Sequence, residues 1–385
     1  MKVTLMMPYS DTPSWGVQNV AYNLVQGFIK LCNEFERKDI KIRILSNVGT
    51  FPKPQRVLFS RCPQLEVIYY KQLQPITFFG DAQNMFLSKR LFYSILFSSD
   101  IIHSHDVVFS LPVAKMFKHS NVIHNFHGLP WNEKRYINSA YVRFSYNTMT
   151  ARAQKLAKLN NTRFVAISHF VKREIQKTLE ILDDNISIIP DPVSEEFFEI
   201  KKRTEEGLIF YPARLIPRKN HVPLIKALGI LKKEGPSGFK LALTGTVEDK
   251  NYFERIRRTI SKYNLNSNVM FIGKIPKEKL FEYYSKASVV VLTSKEESFS
   301  LAVAEAMATG TPVIASPVGI VPEAILNRKN GYIINPDDPK DIAEKLRLIL
   351  EDNKKRKIME KHARKTAERW KSENIVKRLI ETWGR

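Results

Sequence analysis

Glu297 and Glu305, eight positions apart in the segment ESFSLAVAEAMATGTPVI from Glu297 to Ile314, are the residues of this chain best placed to do chemistry. A carboxylate accepts hydrogen bonds from two hydroxyls at once, so the pair suits a hydroxyl-rich ligand. Upstream, Arg214, Arg218 and Lys219 lie between the apolar run LIFYPARL (Leu208 to Leu215) and a helix-like stretch, His221 to Lys233. Arginine offers phosphate oxygens a planar fork and lysine a mobile point charge, a combination suited to a diphosphate. Plainer readings compete: acidic side chains are favoured near a helix start by its dipole, and charge runs usually face solvent. By that rule Arg218 reads as a solvated charge, whereas Arg214, directly after a buried strand, and Lys219 read as ligand-facing.

The elements around these residues place them together. Ala287 to Thr293 (ASVVVLT) is a continuous, largely β-branched apolar run, the pattern of a strand covered on both faces in a parallel sheet. Glu297 then falls in the loop beyond that strand's C-terminal end and Glu305 on the following helix. Open α/β sheets bind ligands in this crevice, where helix N-termini point free N–H groups at anions. Further strands are expected at Lys2 to Met7, Lys41 to Leu45, Val67 to Tyr70, Ile101 to His103, Asn121 to Asn125, Phe164 to Ile167, Lys240 to Leu243 and Val269 to Ile272. Helical patterns run from about Val17 to Leu31 and, near the end, over Asp338 to Arg347, Lys354 to Arg369 and Glu373 to Trp383. This alternation predicts an α/β protein with parallel sheets. A Pro-rich break, Ile188 to Val193, followed by the charged stretch Lys201 to Gly207, marks a hinge. No G-x-G-x-x-G follows the first strand, which argues against a nicotinamide-dependent dehydrogenase.

The two glutamates, with Ser-Phe-Ser-Leu between them and the Glu-Ala-Met-Ala-Thr-Gly-Thr-Pro-Val continuation, resemble the retaining glycosyltransferases of family 4. That resemblance implies the GT-B fold: two Rossmann-like parallel-sheet domains facing a central cleft, with a C-terminal helix crossing back to the first domain. The implied boundaries are 1–195, plus about 371–385, for an acceptor-side domain and 200–370 for a nucleotide-sugar domain; Trp370 and Trp383 are candidate anchors of the crossing. By position, Glu297 would touch the donor sugar and Glu305 the ribose, with the backbone of Ser298, Phe299, Ser300 and Leu301 approaching sugar and diphosphate. Arg214 and Lys219 match the family's Gly-Arg-Leu…Lys motif, with Ala213 in place of its glycine. Gly245, Gly273 and Ile275 would hold the nucleotide through backbone, Gly16 in the first strand-to-helix loop would let backbone approach the donor, and His127 would face the sugar or acceptor, ahead of His103 and His105. The implied reaction moves a sugar from a nucleoside diphosphate sugar to a hydroxyl acceptor such as a glycan or glycolipid, with no metal and no cofactor beyond the donor itself.

Length and composition fit that expectation. The chain has 385 residues, enough for two domains with cores of their own, and ordinary apolar (43%) and charged (26%) fractions. Its net charge of +22 is split evenly, 24 basic minus 13 acidic residues in 1–190 and 37 minus 26 in 191–385. Such a spread fits an anionic membrane surface, nucleic acid or a basic composition at large. Met85 to Ser98 (MFLSKRLFYSILFS) mixes apolar residues with Lys89 and Arg90 as an interfacial helix would, although a buried core helix is the more ordinary reading of an apolar stripe. Contact with an anionic membrane is therefore ranked above nucleic acid, which is not expected as a partner. Only Cys32 and Cys62 occur, without metal-ligand spacing, and read as two plain thiols in a reducing compartment. With no long uncharged apolar stretch and a strand-like N-terminus, the expected location is cytoplasmic, at the inner face of the cell membrane. The alternative from another class is a catalytically inactive basic protein of the same fold that binds nucleic acid or anionic membrane.

Overall fold

The computed structural model describes residues 1–13, 16–47, 55–69, 89–137, 139–236 and 238–384, and the side chains of 89–92 are excepted. Trp15, Tyr70 and residues 85–88 of the Met85 to Ser98 segment lie outside the described residues. The chain divides into two units, Met1–Pro192 with Ser372–Arg385, and Val193–Lys371.

The first unit is an eight-stranded sheet in the order β3-β4-β2-β1-β5-β6-β7-β8. The strands are β1 Lys2–Met6, β2 Lys41–Ser46, β3 Gln55–Phe59, β4 Cys62–Tyr69, β5 Ile101–Ser104, β6 Asn121–Phe126, β7 Thr162–Ala166 and β8 Ile186–Ile188. The central strands are buried on both faces, as their apolar runs require. The edge departs from the all-parallel expectation: β3 runs antiparallel to β4. The sequence hid this hairpin because β3 is short and exposed, with only Val57, Leu58 and Phe59 apolar, and because Pro63 stands inside β4.

The cysteines correct a second expectation. Cys32 opens a short helix, Cys32–Arg37, Cys62 opens β4, and their Cα atoms lie 5.4 Å apart in a disulfide. A separation of 30 residues carries no pairing signal in sequence; the packing of that helix beside β4 creates it. The last helix, Ser372–Trp383, packs on the first, Gly16–Lys30, at Gly27, where an added Cβ would stand 2.8 Å from the carbonyl oxygen of Ser372. Trp383 is buried there, its ring 6.1 Å from that of Phe28 and its Nε1–H donating to His103 Nδ1 at 3.3 Å.

The second unit is a six-stranded parallel sheet in the order β11-β10-β9-β12-β13-β14. Its strands are β9 Leu208–Pro212, β10 Lys240–Thr244, β11 Val269–Gly273, β12 Val289–Leu292, β13 Val313–Ala315 and β14 Gly331–Ile333. From β9 the chain adds strands outward on one side as far as β11, then returns to place β12 on the other side. The strand order therefore reverses between β9 and β12, and a topological switch point lies beyond their C-terminal ends. Trp370 is buried in this unit, edge-on to Phe299 at 6.2 Å.

The disulfide makes a simple claim. Protein unfolded without reductant should show no titratable thiol, and reductant should expose two; breaking the bond by Cys62→Ser should cost about 3 kcal/mol of stability, as expected for closing a loop of this length. Two free thiols before reduction would restore the original reading.

Candidate functional site

The loops leaving β9 and β12 meet at the switch point and are bonded to one another. After β9 the chain makes a short 3-10 turn, Pro217–Lys219, and Asn220 takes a left-handed conformation (φ 54°) before the helix His221–Glu234. Thr293, just past β12, donates its hydroxyl to the Asn220 carbonyl at 2.8 Å, and Tyr211 of β9 donates to the Lys219 carbonyl. The Lys295 N–H donates to the Arg218 carbonyl at 2.9 Å. These bonds to the turn's carbonyls carry the basic turn to the acidic loop.

There the Lys219 ammonium bonds the Glu297 carboxylate, and Arg218 Nη1 lies 3.6 Å from Glu297 Oε2 while donating to the Glu296 carbonyl at 2.8 Å. Arg218 is thus not the solvated charge its neighbourhood in sequence suggests; its side chain is only 16% exposed. Burial pushes the Glu297 carboxyl up, but Lys219 and Arg218 overcome it and hold it below the usual carboxylate range. Burial pulls the Lys219 ammonium down, opposed by Glu297. The pair stands as ammonium and carboxylate.

Arg214 is placed differently. Its side chain is 52% exposed and its Nη1 lies 3.1 Å from both carboxylate oxygens of Glu248. The loop that carries Glu248 is held close by Gly245, at φ 117°, where a Cβ would meet the Ala213 carbonyl oxygen at 2.3 Å. Gly245 N–H also donates to the Gly273 carbonyl at 2.8 Å, so the ends of β9, β10 and β11 are joined; Gly273 is itself left-handed and Ile275 follows it, partly buried.

Beyond Glu297, Ser298 and the buried Phe299 lead into Ser300, a non-glycine residue at φ 84°, from which the helix Leu301–Ala308 starts without a side-chain cap. An uncapped start leaves backbone N–H donors for an anion. Gly319 lets the loop after β13 press on this turn: the Ile320 N–H donates to the Phe299 carbonyl at 2.8 Å, and a Cβ at 319 would lie 2.3 Å from that oxygen. Glu305, one turn into the helix, accepts from the Tyr284 hydroxyl at 2.8 Å. Burial raises its carboxyl to about 7, with the Tyr284 hydrogen bond opposing.

In the first unit, His127 follows β6. Its Nδ1 lies 3.0 Å from Asp191 Oδ1, and its Nε2 lies 2.6 Å from His105 Nδ1 and 3.0 Å from Asn125 Nδ2. His103, His105 and His127 form a stack with centroids 4.9 Å apart at each step. Burial lowers His103 to about 3 and takes His105 well below its ordinary value, so both are neutral at physiological pH. His105 and His127 line a cavity of about 660 Å³ together with Met7, Phe109, Glu133 and Tyr146. Gly16 opens the helix Gly16–Lys30; it is exposed and has open space where a Cβ would stand.

Lys219 and Glu297 therefore meet, Gly245 and Gly273 meet, and Arg214 is held by a surface carboxylate. Sequence reasoning missed Arg218, Glu248, Tyr284 and Asp191. Asp191 stood in the Pro-rich break before Pro192, and a lone acid between prolines was the available signal.

Two family models match the chain in tandem: Glycosyltransferase Family 4 over residues 16–197 and Glycosyl transferases group 1 over 193–366. Over 171 residues the chain is 32% identical to the D-inositol 3-phosphate glycosyltransferase of Corynebacterium urealyticum, covering 44% of this chain and 37% of that protein. It is 28% identical over 205 residues to the O-antigen chain mannosyltransferase RfbU of Salmonella typhimurium, covering 53% of each. The chain spans between 36 and 61% of the length of the first curated relatives it matches. Among solved structures, Anabaena Alr3699/HepE in complex with UDP-glucose superposes with a TM-score of 0.70 at 17% identity, covering 100% of this chain and 99% of that one. The fold is GT-B.

Two outcomes follow from the site's electrostatics. Removing Glu297 leaves the buried Lys219 without a counter-charge, whereas removing Lys219 leaves Glu297 with Arg218, so Glu297→Ala should cost about 3–5 kcal/mol in urea unfolding and Lys219→Ala less, with the double variant well short of their sum. Additive losses would mean no coupling. Glu305 has its folded pKa raised, so its stabilising proton is fully bound below the unfolded value and lost as pH rises through about 7. Between pH 5 and pH 8 the wild type should lose stability relative to Glu305→Gln, by at most about 3 kcal/mol; parallel pH curves would contradict the raised value.

Proposed function

The chain belongs to the glycosyltransferases of the group 1 and family 4 class, and on that premise we propose that it transfers a sugar from a nucleoside diphosphate sugar to a hydroxyl of a glycan or glycolipid, with retention of anomeric configuration. The observation that carries this is the meeting of Lys219, Arg218 and Glu297 at the β9/β12 switch point, beside the uncapped helix start at Ser300.

In this reading the diphosphate takes the cationic side. Lys219 and Arg218, with the N–H groups at the start of Leu301–Ala308, stabilise the charge that grows on it as the glycosidic bond breaks. Arg214 joins by exchanging Glu248 for phosphate oxygen, a cheap exchange because an exposed ion pair is worth little. Glu297 is held ionised by the same cations and accepts hydrogen bonds from sugar hydroxyls. Glu305 accepts from the ribose diol, and the backbone at Gly245, Gly273 and Ile275 takes the rest of the nucleotide. The acceptor belongs to the first unit, where the cavity beside His127 has both polar and apolar walls. His127 has its Nε2 engaged by His105 and Asn125 and its Nδ1 3.0 Å from Asp191, so it is held in place as a polar wall of that cavity. Since arginine and lysine supply the positive charge, transfer is expected to survive EDTA.

The relatives lend the donor and acceptor classes: one structural neighbour is a UDP-glucose complex and one relative is named as an O-antigen mannosyltransferase. A panel of uridine, guanosine and adenosine diphosphate sugars should give one donor that shifts the melting temperature and is turned over, with the anomeric coupling in the product matching that in the donor. Glu297→Gln and Arg218→Ala, shown folded by circular dichroism, should each lose on the order of a hundredfold in kcat/KM. Full activity in both would remove the site assignment, and a panel with neither binding nor turnover would remove the donor class.

A further inference from the structure

Away from these sites, the first unit carries an aromatic patch that its core does not use. On the helix Lys89–Phe97, Ile95 and Leu96 are buried, while Tyr93 and Phe97, one turn apart, are 53% and 58% exposed with their rings stacked at 5.9 Å. The buried Phe117 supports Tyr93 from below at 5.5 Å, and the His119 ring lies 4.9 Å from that of Phe97. Met116, at the end of the helix Val107–Met116, is 47% exposed. The exposed Lys115 and Lys118 project from the same turn. The two acids of the 93–120 segment are otherwise engaged: Asp100 accepts from the Lys2 N–H at 2.7 Å, and Asp106 caps the far end of Val107–Met116.

We propose that this patch docks on an anionic lipid bilayer, with Tyr93, Phe97 and Met116 entering the boundary between headgroups and acyl chains and Lys115 and Lys118 against headgroup phosphates. Tyr93 and Phe97 stack on each other beside Phe117, the chain neighbour of Met116, so these exposed apolar side chains are gathered in one place, and a phenol beside a phenyl ring suits an interface that is apolar on one side and wet on the other. The lysine rim and the chain's +22 charge select an anionic surface over a neutral one. Among the described residues no helix is long and apolar enough to cross a membrane, so the contact is a surface one. It does not depend on the identity of the sugar or on the transfer reaction.

The test is cosedimentation of the full chain with phosphatidylcholine vesicles, with and without phosphatidylglycerol, across a salt series. Wild type should bind the anionic vesicles and release as salt rises. The double variant Tyr93→Ser/Phe97→Ser, whose side chains are exposed and not needed for the core, should lose about tenfold or more in partitioning at an unchanged melting temperature, and Lys115→Glu/Lys118→Glu should lose binding and its salt dependence. Lys354→Glu/Lys361→Glu, an equal charge reversal on an exposed helix of the second unit, should bind as wild type. Wild type that ignores anionic vesicles, patch variants that bind normally, or control reversals that weaken binding as much as the patch reversals would each overturn the proposal.

Discussion

The Glu297 carboxylate, clamped by Lys219 and flanked by Arg218, is the interaction around which the second unit's functional end is arranged. Taking a carboxylate and an ammonium out of water is expensive, and such a pair holds only where geometry and further hydrogen bonds repay the loss. Here they are repaid by neighbours: Arg218 adds a second cation, and the Lys295 N–H and the Thr293 and Tyr211 hydroxyls bond the carbonyls of the basic turn and tie the two loops together. In the proposed reaction such a pair would meet a ligand that carries phosphate at one end and hydroxyls at the other, since each side chain can keep its charge and change partner.

Backbone placement matters as much as charge. Glycine at 245 and 319 lets two neighbouring loops press against the turns at Ala213 and Phe299 with clearances no Cβ would permit. Ser300 holds a left-handed conformation without being glycine, a local cost borne where the helix Leu301–Ala308 begins. Strain of this kind at the mouth of a site is consistent with a turn shaped for backbone contact rather than for stability alone.

The first unit uses the opposite strategy. His103, His105 and His127 are stacked, and two of them stay neutral because burial and the neighbouring basic side chains both disfavour their charged form. Asp191 meets His127 at one end of this stack. Trp383, arriving from the last helix, donates to His103 and so ties the chain's end to this stack.

Much of the architecture was legible in the chain alone. The β-branched run before Glu297, the apolar run before Arg214 and the alternation of strand-like and helix-like segments gave element types and order, because periodicity and burial are local properties of sequence. They also placed Glu297 and Lys219 at strand ends. What sequence could not show was which strand ends are neighbours. Arg218 and Glu297 meet because β9 pairs with β12 although the two strands are far apart in sequence, Asp191 reaches His127 because β8 and β6 flank β7, and Cys32 meets Cys62 because a helix packs beside β4. Glu248 claimed Arg214 for the same reason, through the pairing of β9 with β10. Residue types and their local spacing were sufficient to name the chemistry; only the order of strands in the sheets, set by long-range packing, decided which charges face each other and which face water.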